Sequence, residues 1–403
     1  MPELLITRQP IYNRTRHVYG YELLYHPGKD SNLSGDSDDA LASQVILDAL
    51  TEIGVDNLVG QRMAFISVSR GFIAGKYPLP LTKSRLVIEV PADVAVDAEV
   101  IDGIQFLVGQ GYTIALGGYV YSEVNLPLLA LANIVKLDVQ ALREEELRYH
   151  VSVLQEHPHL KLLADNIDIP DEYEVCRELG FNYFQGHFFS RPKLVRRTRM
   201  PSNQLSLMRL LAEVQRPDVN IPKLEVMISQ DVGLSYKLLR YINSAFFGLP
   251  KPVESIQRAV VLLGTHVIQK WTTLLVLARV DDKPAELMVT AVVRAKMCEI
   301  LAKAVEYEHE DSCFTVGLLS VLEALLDMPM EKVLGMLTLT EEVNQALLRF
   351  DGVPGKLLRV ALHYELGEWQ QLDYPGLEED IIMDAYLQSI AWASEACSAL
   401  LGD

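Results

Sequence analysis

A (β/α) barrel followed by an all-helical domain is the architecture this sequence predicts. Three observations carry that expectation. Before Pro192, strand-length apolar runs are interleaved with amphipathic segments. After it, strand-like runs disappear. From there to the C-terminus the apolar residues recur at helical spacing, and prolines break the chain at helix-length intervals.

The expected strands, in order, are Leu4–Ile11, Val18–Leu24, Met63–Val68, Leu86–Val90, Thr113–Leu116, Ile134–Leu137, Lys161–Ala164 and Tyr183–Phe188. Each is rich in Val, Ile, Leu, Tyr or Phe and of strand length. Ala40–Ile53, Asp97–Gln110 and Glu144–Glu156 lie between them and place apolar residues near helical spacing. The alternation over the first half of the chain fits a compact TIM-like (β/α) barrel. A doubly wound open sheet is the alternative, but no GxGxxG follows the first strand. Lys29–Asp39 is polar and reads as a mobile loop. After Pro192 the helical pattern runs through Leu205, Met208 and Leu211, then Leu224, Met227 and Ile228, then Leu234, Leu238, Leu239 and Ile242. Pro201, Pro217, Pro222, Pro250, Pro252, Pro284, Pro329, Pro354 and Pro375 punctuate it. The boundary is expected near residues 191–202, with the barrel over 1–195 and the helical domain over 196–403.

The formal net charge is −18 over 403 residues. Such a surface repels phosphate backbones and anionic lipid, which argues against a nucleic-acid or membrane-surface protein. Arg191, Lys193, Arg196, Arg197 and Arg199 form one basic cluster, at the expected linker, and read first as a solvated hinge. No apolar run is long enough to span a bilayer, and the N-terminal residues lack the pattern of a signal peptide. A cytoplasmic protein is expected. Cys176, Cys298, Cys313 and Cys397 are far apart and form no CxxC pair, so they read as reduced, packed thiols.

In a barrel of this kind chemistry sits where the strands end. The strand-end residues are Glu22, Ser67, Glu89, Gly117-Gly118, Lys136 with Asp138, Asp165 with Asp168, and Gln185. Their order resembles the EAL family of cyclic di-GMP phosphodiesterases. Tyr19-Gly20-Tyr21-Glu22-Leu23-Leu24 is similar to that family's name motif, Val87-Ile88-Glu89-Val90 to its second acidic strand, and Val135-Lys136-Leu137-Asp138 to its KxD strand. Leu163-Ala164-Asp165-Asn166-Ile167-Asp168 stands where the family has an AEGVE-like strand. Phe184-Gln185-Gly186-His187-Phe188-Phe189-Ser190-Arg191-Pro192 resembles its closing QGxxFSxP signature.

The resemblance implies two divalent metals, held largely by carboxylates, that activate water against a phosphodiester. Glu22 and Glu89 are retained. Ser67 stands where the family's asparagine would be, Gly117-Gly118 where its paired aspartates would be, His26 in place of the arginine that contacts substrate phosphate, and Asp165 in place of a glutamate. Glycine cannot ligate a metal, and each removed contact of this kind costs roughly 10²–10³ in rate. The expectation is therefore a barrel with no catalysis, no cofactor and no bound metal. In it Glu22, Glu89, Lys136, Asp138, Asp165 and Gln185 persist as a vestigial hydrogen-bonded interior.

Ile228–Phe247 and Ile256–Gly264 resemble the HDOD family, relatives of the HD phosphohydrolases that lack the metal-binding histidines. Phe314-Thr315-Val316-Gly317-Leu318-Leu319-Ser320-Val321 agrees, with Ser320-Val321 where an HD enzyme has His-Asp. His266, His309, His363 and the pair His157 and His159 read as surface or helix-end side chains. The expected function is an inactive signal-transduction scaffold or regulator acting through protein partners that the sequence does not name. Phe246 and Phe247 are the candidate contact residues; burial in the core is their other reading. Two alternatives stand beside it: a weak cyclic di-GMP phosphodiesterase with substitute ligands, and a cyclic di-GMP receptor, against which His26 argues.

Overall fold

The computed structural model describes residues 4–27, 53–75, 85–121, 125–188, 202–216, 222, 228, 232–244, 246–249, 252–253, 255–278 and 283–401. Most of Ala40–Ile53, the loop Lys29–Asp39, the basic cluster around Arg196, the end of the QGxxFSxP-like signature, Leu224, Met227 and residues 229–231 lie outside them. The chain divides into two compact units: Met1–Arg191 with Glu365–Trp369, and Pro192–Tyr364 with Gln370–Asp403.

Eight strands close the first unit into a barrel in sequence order. They are β1 (Leu4–Asn13), β2 (Val18–Pro27), β3 (Met63–Ser67), β4 (Leu86–Val90), β5 (Thr113–Leu116), β6 (Ile134–Asp138), β7 (Lys161–Asp165) and β8 (Tyr183–Gln185). Helices intervene from β2 onward: α1 (Val55–Val59), α2 (Arg70–Ile73), α3 (Ala98–Gly109), α4 (Leu126–Leu129), α5 (Glu144–Leu154) and α6 (Pro170–Glu178). The barrel is not all-parallel, unlike the repeating pattern the sequence suggested. β1 runs antiparallel to both β2 and β8. Only residues 14–17 separate β1 from β2, too few for the crossover that parallel strands require. They form a tight turn instead. Asn13 Oδ1 accepts from Thr15 N at 2.9 Å and His17 N at 3.0 Å, and Arg16 takes a left-handed conformation.

One interior layer of the barrel is apolar: Ile11, Phe65, Val87, Ala115, Ile134 and Leu163, with Tyr183 packed against it. Side chains two residues apart on a strand share a face. The next layer toward the C-terminal ends of the parallel strands is therefore Ser67, Glu89, Gly117, Lys136, Asp165 and Gln185. On the reversed β1 it is reached by counting backwards, to Gln9.

The second unit is helical among the described residues. It comprises α7 (Ser202–Val214), α8 (Val232–Ile242), α9 (Ile256–Leu263), α10 (Thr265–Leu277), α11 (Ala285–Ala304), α12 (Glu310–Leu319), α13 (Leu322–Leu326), α14 (Met330–Leu334), α15 (Glu341–Arg349), α16 (Gly352–Leu366) and α17 (Glu379–Leu401). Its centre is α11, buried on nearly every side between α12 and α17. The crossing with α12 is close: a Cβ on Gly317 would lie 2.6 Å from Arg294 O and 2.7 Å from Ala295 Cα.

Candidate functional site

The polar layer of the barrel gathers around one ammonium. Lys136 Nζ is buried and donates to Glu22 Oε2 at 3.0 Å and to Glu89 Oε1 and Oε2 at 3.2 and 3.0 Å. It stands 3.5 Å from Asp165 Oδ2. β6 brings Lys136 to the centre because the lysine lies two residues beyond Ile134 of the apolar layer. The ladder then sets Glu22 beside Phe65 and Glu89 beside Ser67 and Ala115. Gln185, fully buried at the end of β8, donates through Nε2 to Gln9 Oε1 at 2.7 Å and to Glu22 Oε2. It ties Glu22 to β1.

Charge and burial set the protonation of this layer. Burial first and Glu22 second raise the Glu89 pKa, Lys136 opposes them, and the result is about 7. Burial also raises Asp165. For Lys136, burial works against the charged form. The carboxylates of Glu22, Glu89 and Asp165 outweigh it and hold the pKa above the usual lysine value. The Tyr25 hydroxyl donates to Ser67 O, and its pKa is raised by burial and then by Glu89 and Glu22.

Five of the six residues expected at the site meet here: Glu22, Glu89, Lys136, Asp165 and Gln185. Asp138 turns away. Its Oδ1 accepts from Gln140 N and Ala141 N at 2.9 and 3.1 Å, and its Oδ2 from Asn166 Nδ2 at 2.9 Å, so it builds the loop after β6. Gln9 is a member the sequence reading missed. Its signal was the short turn at residues 14–17, which forces β1 to run backwards.

Gly117 and Gly118 follow directly on β5. A Cβ on Gly117 would lie 2.4 Å from Glu89 Oε1, so the carboxylate of Glu89 fills the space a side chain there would need. Gly118 adopts a left-handed conformation. The residues present do not fit the two-metal centre implied by the family resemblance. The carboxylates that face inward are already bonded to an ammonium, and β5 contributes no side chain. Among the described residues no group of three or more His, Cys, Asp or Glu is arranged to hold an ion.

In the helical unit Ser320 caps α12, and Val321 is buried just after it. Ser320 Oγ donates to Gly317 O at 2.7 Å and receives Arg294 Nη1 at 3.2 Å, so a guanidinium lies beside the position of the absent His-Asp pair. Phe246 and Phe247 are half-buried. Their ring centroids lie 5.4 and 5.9 Å from Trp271, and Phe247 meets Tyr241 edge-on at 5.4 Å. All four cysteines are buried, and no disulfide joins them. No helix among the described residues is long and apolar enough to cross a membrane.

Residues 200–344 match the family model of the HDOD domain. The cyclic di-GMP phosphodiesterase CdgJ of Vibrio cholerae serotype O1 is 29% identical over 377 residues, covering 93% of this chain and 87% of its own. The Bacillus subtilis (strain 168) protein YuxH is 27% identical over 409 residues, covering 98% of this chain and 99% of its own. Among solved structures, a standalone EAL protein from Vibrio cholerae O395 in its c-di-GMP-bound form covers 46% of this chain and 90% of its own, at 18% identity and a TM-score of 0.36.

These relatives correct one expectation. The barrel was expected not to be an enzyme, on the replacements Ser67, Gly117 and Gly118 and, in the helical domain, Ser320 and Val321. A relative aligned over nearly the whole chain is named a phosphodiesterase. The physical reason for the correction is that substitutions at individual ligand positions do not describe a whole site: three carboxylates and a lysine still converge at the strand ends. Residues 200–344 thus carry an HDOD domain, and they follow an eight-stranded barrel whose strand-end motifs resemble those of the EAL family.

Proposed function

We propose that the chain is a cyclic di-GMP phosphodiesterase of low turnover, working at the C-terminal ends of the barrel strands. One observation carries this reading: Glu22, Glu89 and Asp165 converge on Lys136 where a barrel enzyme does its chemistry. The name of the Vibrio cholerae relative supports it.

Hydrolysis of a phosphodiester needs a group that takes a proton from the attacking water and positive charge near the phosphate oxygens. Glu89, with its pKa near neutrality, is matched to the first task. Lys136 supplies the positive charge, and Gln185 and Gln9 hold Glu22 in place so that the ammonium keeps its position. Low turnover follows from the bare strand end at Gly117, where no side chain adds a contact to the transition state.

The test is an assay of the full chain with cyclic di-GMP, in Mg²⁺, in Mn²⁺ and in chelator, with the linear dinucleotide followed by chromatography. Slow product formation is expected, falling by about 10²–10⁴ in Glu89→Gln. Product no higher in the wild type than in Glu89→Gln under all three conditions overturns the reading.

A further inference from the structure

The barrel unit includes Glu365–Trp369, a segment remote in sequence from every strand. It lies against the last residues of β2. The Trp369 indole is parallel to the His26 imidazole, with an interplanar angle of 8° and ring centroids 6.2 Å apart. Gly367 turns the chain beside them in a left-handed conformation. The position its Cβ would take is 3.7 Å from both Leu24 Cδ1 and Trp369 Cζ2, so this segment packs on β2 at two places. His26 is exposed and Trp369 is half-buried.

This aromatic pair borders the polar layer of the barrel. β2 runs past its neighbour: its ladder with β3 ends at Leu23 beside Ile66, while its ladder with β1 continues to Pro27. Glu22, on the same strand, carries one of the carboxylates bonded to Lys136. His26 is four residues further on, about 13 Å along an extended strand. Between them Tyr25 reaches back to the site, donating its hydroxyl to Ser67 O at the end of β3. The inward side chains of the polar layer are charged or polar, and none of them is a ring. They suit a phosphodiester and offer a base no planar surface.

We infer that His26 and Trp369 are the base platform of the barrel site: a guanine of cyclic di-GMP stacks on the exposed imidazole, which Trp369 backs. The inference rests on the reading that cyclic di-GMP is the substrate of this barrel. Two features select a base. Two parallel rings, one of them exposed, extend by a third planar ring without reorientation. The separation from Glu22 is on the scale of a nucleotide, so one ligand can reach Lys136 with a phosphate and His26 with a base. Trp369 is thereby a positioning residue, which holds the ring that touches the ligand.

The test uses the full chain with cyclic di-GMP, in steady-state hydrolysis and by tryptophan fluorescence read before product accumulates. Saturable quenching of the wild type is expected, and Trp369→Leu should abolish it. Trp369→Leu and His26→Ala should each raise KM about tenfold, the loss of one base stack, with kcat changed less than about twofold. A base and a phosphate oxygen ask different things of position 26, the first a ring and the second a cation. His26→Phe should therefore keep the wild-type KM, and His26→Lys should behave as His26→Ala. Should Trp369→Leu lower the melting temperature, the variants at the exposed His26 decide. Turnover with wild-type KM in both Trp369→Leu and His26→Ala overturns this inference and leaves the phosphodiesterase reading standing. So does a KM that His26→Phe raises and His26→Lys preserves. Quenching without turnover overturns the phosphodiesterase reading and supports the platform. A wild type that neither turns over nor is quenched overturns both.

Discussion

Glu89 and Gly117 are a single unit at the scale of the residue. The carboxylate of Glu89 occupies the volume that any side chain at position 117 would claim. What looked in sequence like the loss of a ligand is also the making of a pocket for the one that remains. Glu89 then sits buried beside Glu22, which lifts its pKa from 4.5 to about 7. Between those two values the folded state binds a proton that the unfolded chain has released. Stability from this group is therefore present below about pH 4.5 and is lost as pH rises through 7. Melting curves of the wild type and Glu89→Gln over that interval should diverge, the wild type losing on the order of 2 kcal/mol relative to the variant. Parallel curves would mean that Lys136 keeps Glu89 ionised throughout.

At the scale of the element, the site is the second storey of a strand pattern. Phe65, Val87, Ala115, Ile134 and Leu163 form the apolar layer, and the residue two positions on from each belongs to the polar one. Five of the six expected site residues were legible for that reason: a strand end needs only its own sequence to show which side chain shares the face of the core. Asp138 was misplaced because, although it shares the face of Ile134 and Lys136, it is the last residue of β6, one layer beyond Lys136, where its carboxylate bonds to the loop beyond β6 and to Asn166. In the helical unit the corresponding element-level feature is the crossing of α11 and α12 at Gly317. No side chain fits between Gly317 and the α11 backbone. Gly317→Val should lower the unfolding free energy by about 2 kcal/mol or more in denaturant titrations, since backbone, not a flexible side chain, would have to move. An unchanged midpoint would show that the helices part freely.

The whole molecule carries a net charge of −18. Self-repulsion of that size opposes a compact state and is screened by salt. Raising NaCl from about 0.01 M to about 0.3 M should raise the melting temperature by a few degrees, because the Debye length shrinks from roughly 30 Å to below 10 Å. A fall over the same range would mean that specific ion pairs such as Lys270 with Glu299 and Asp311 outweigh the net repulsion.

The sequence by itself determined the barrel, the helical domain behind it and the strand-end residues from which a site could be drawn. These follow from local quantities, namely residue periodicity, turn length and breaker residues, which act over a few positions along the chain. Only the tertiary structure decided that Gln9 joins the site, that Asp138 leaves it, that Gly117 exists to admit Glu89, and that Trp369 lies parallel to His26 at the end of β2. Each of these depends on which distant segments share space. Side-chain volume and charge act across a few ångströms of space, regardless of the separation of the residues along the chain.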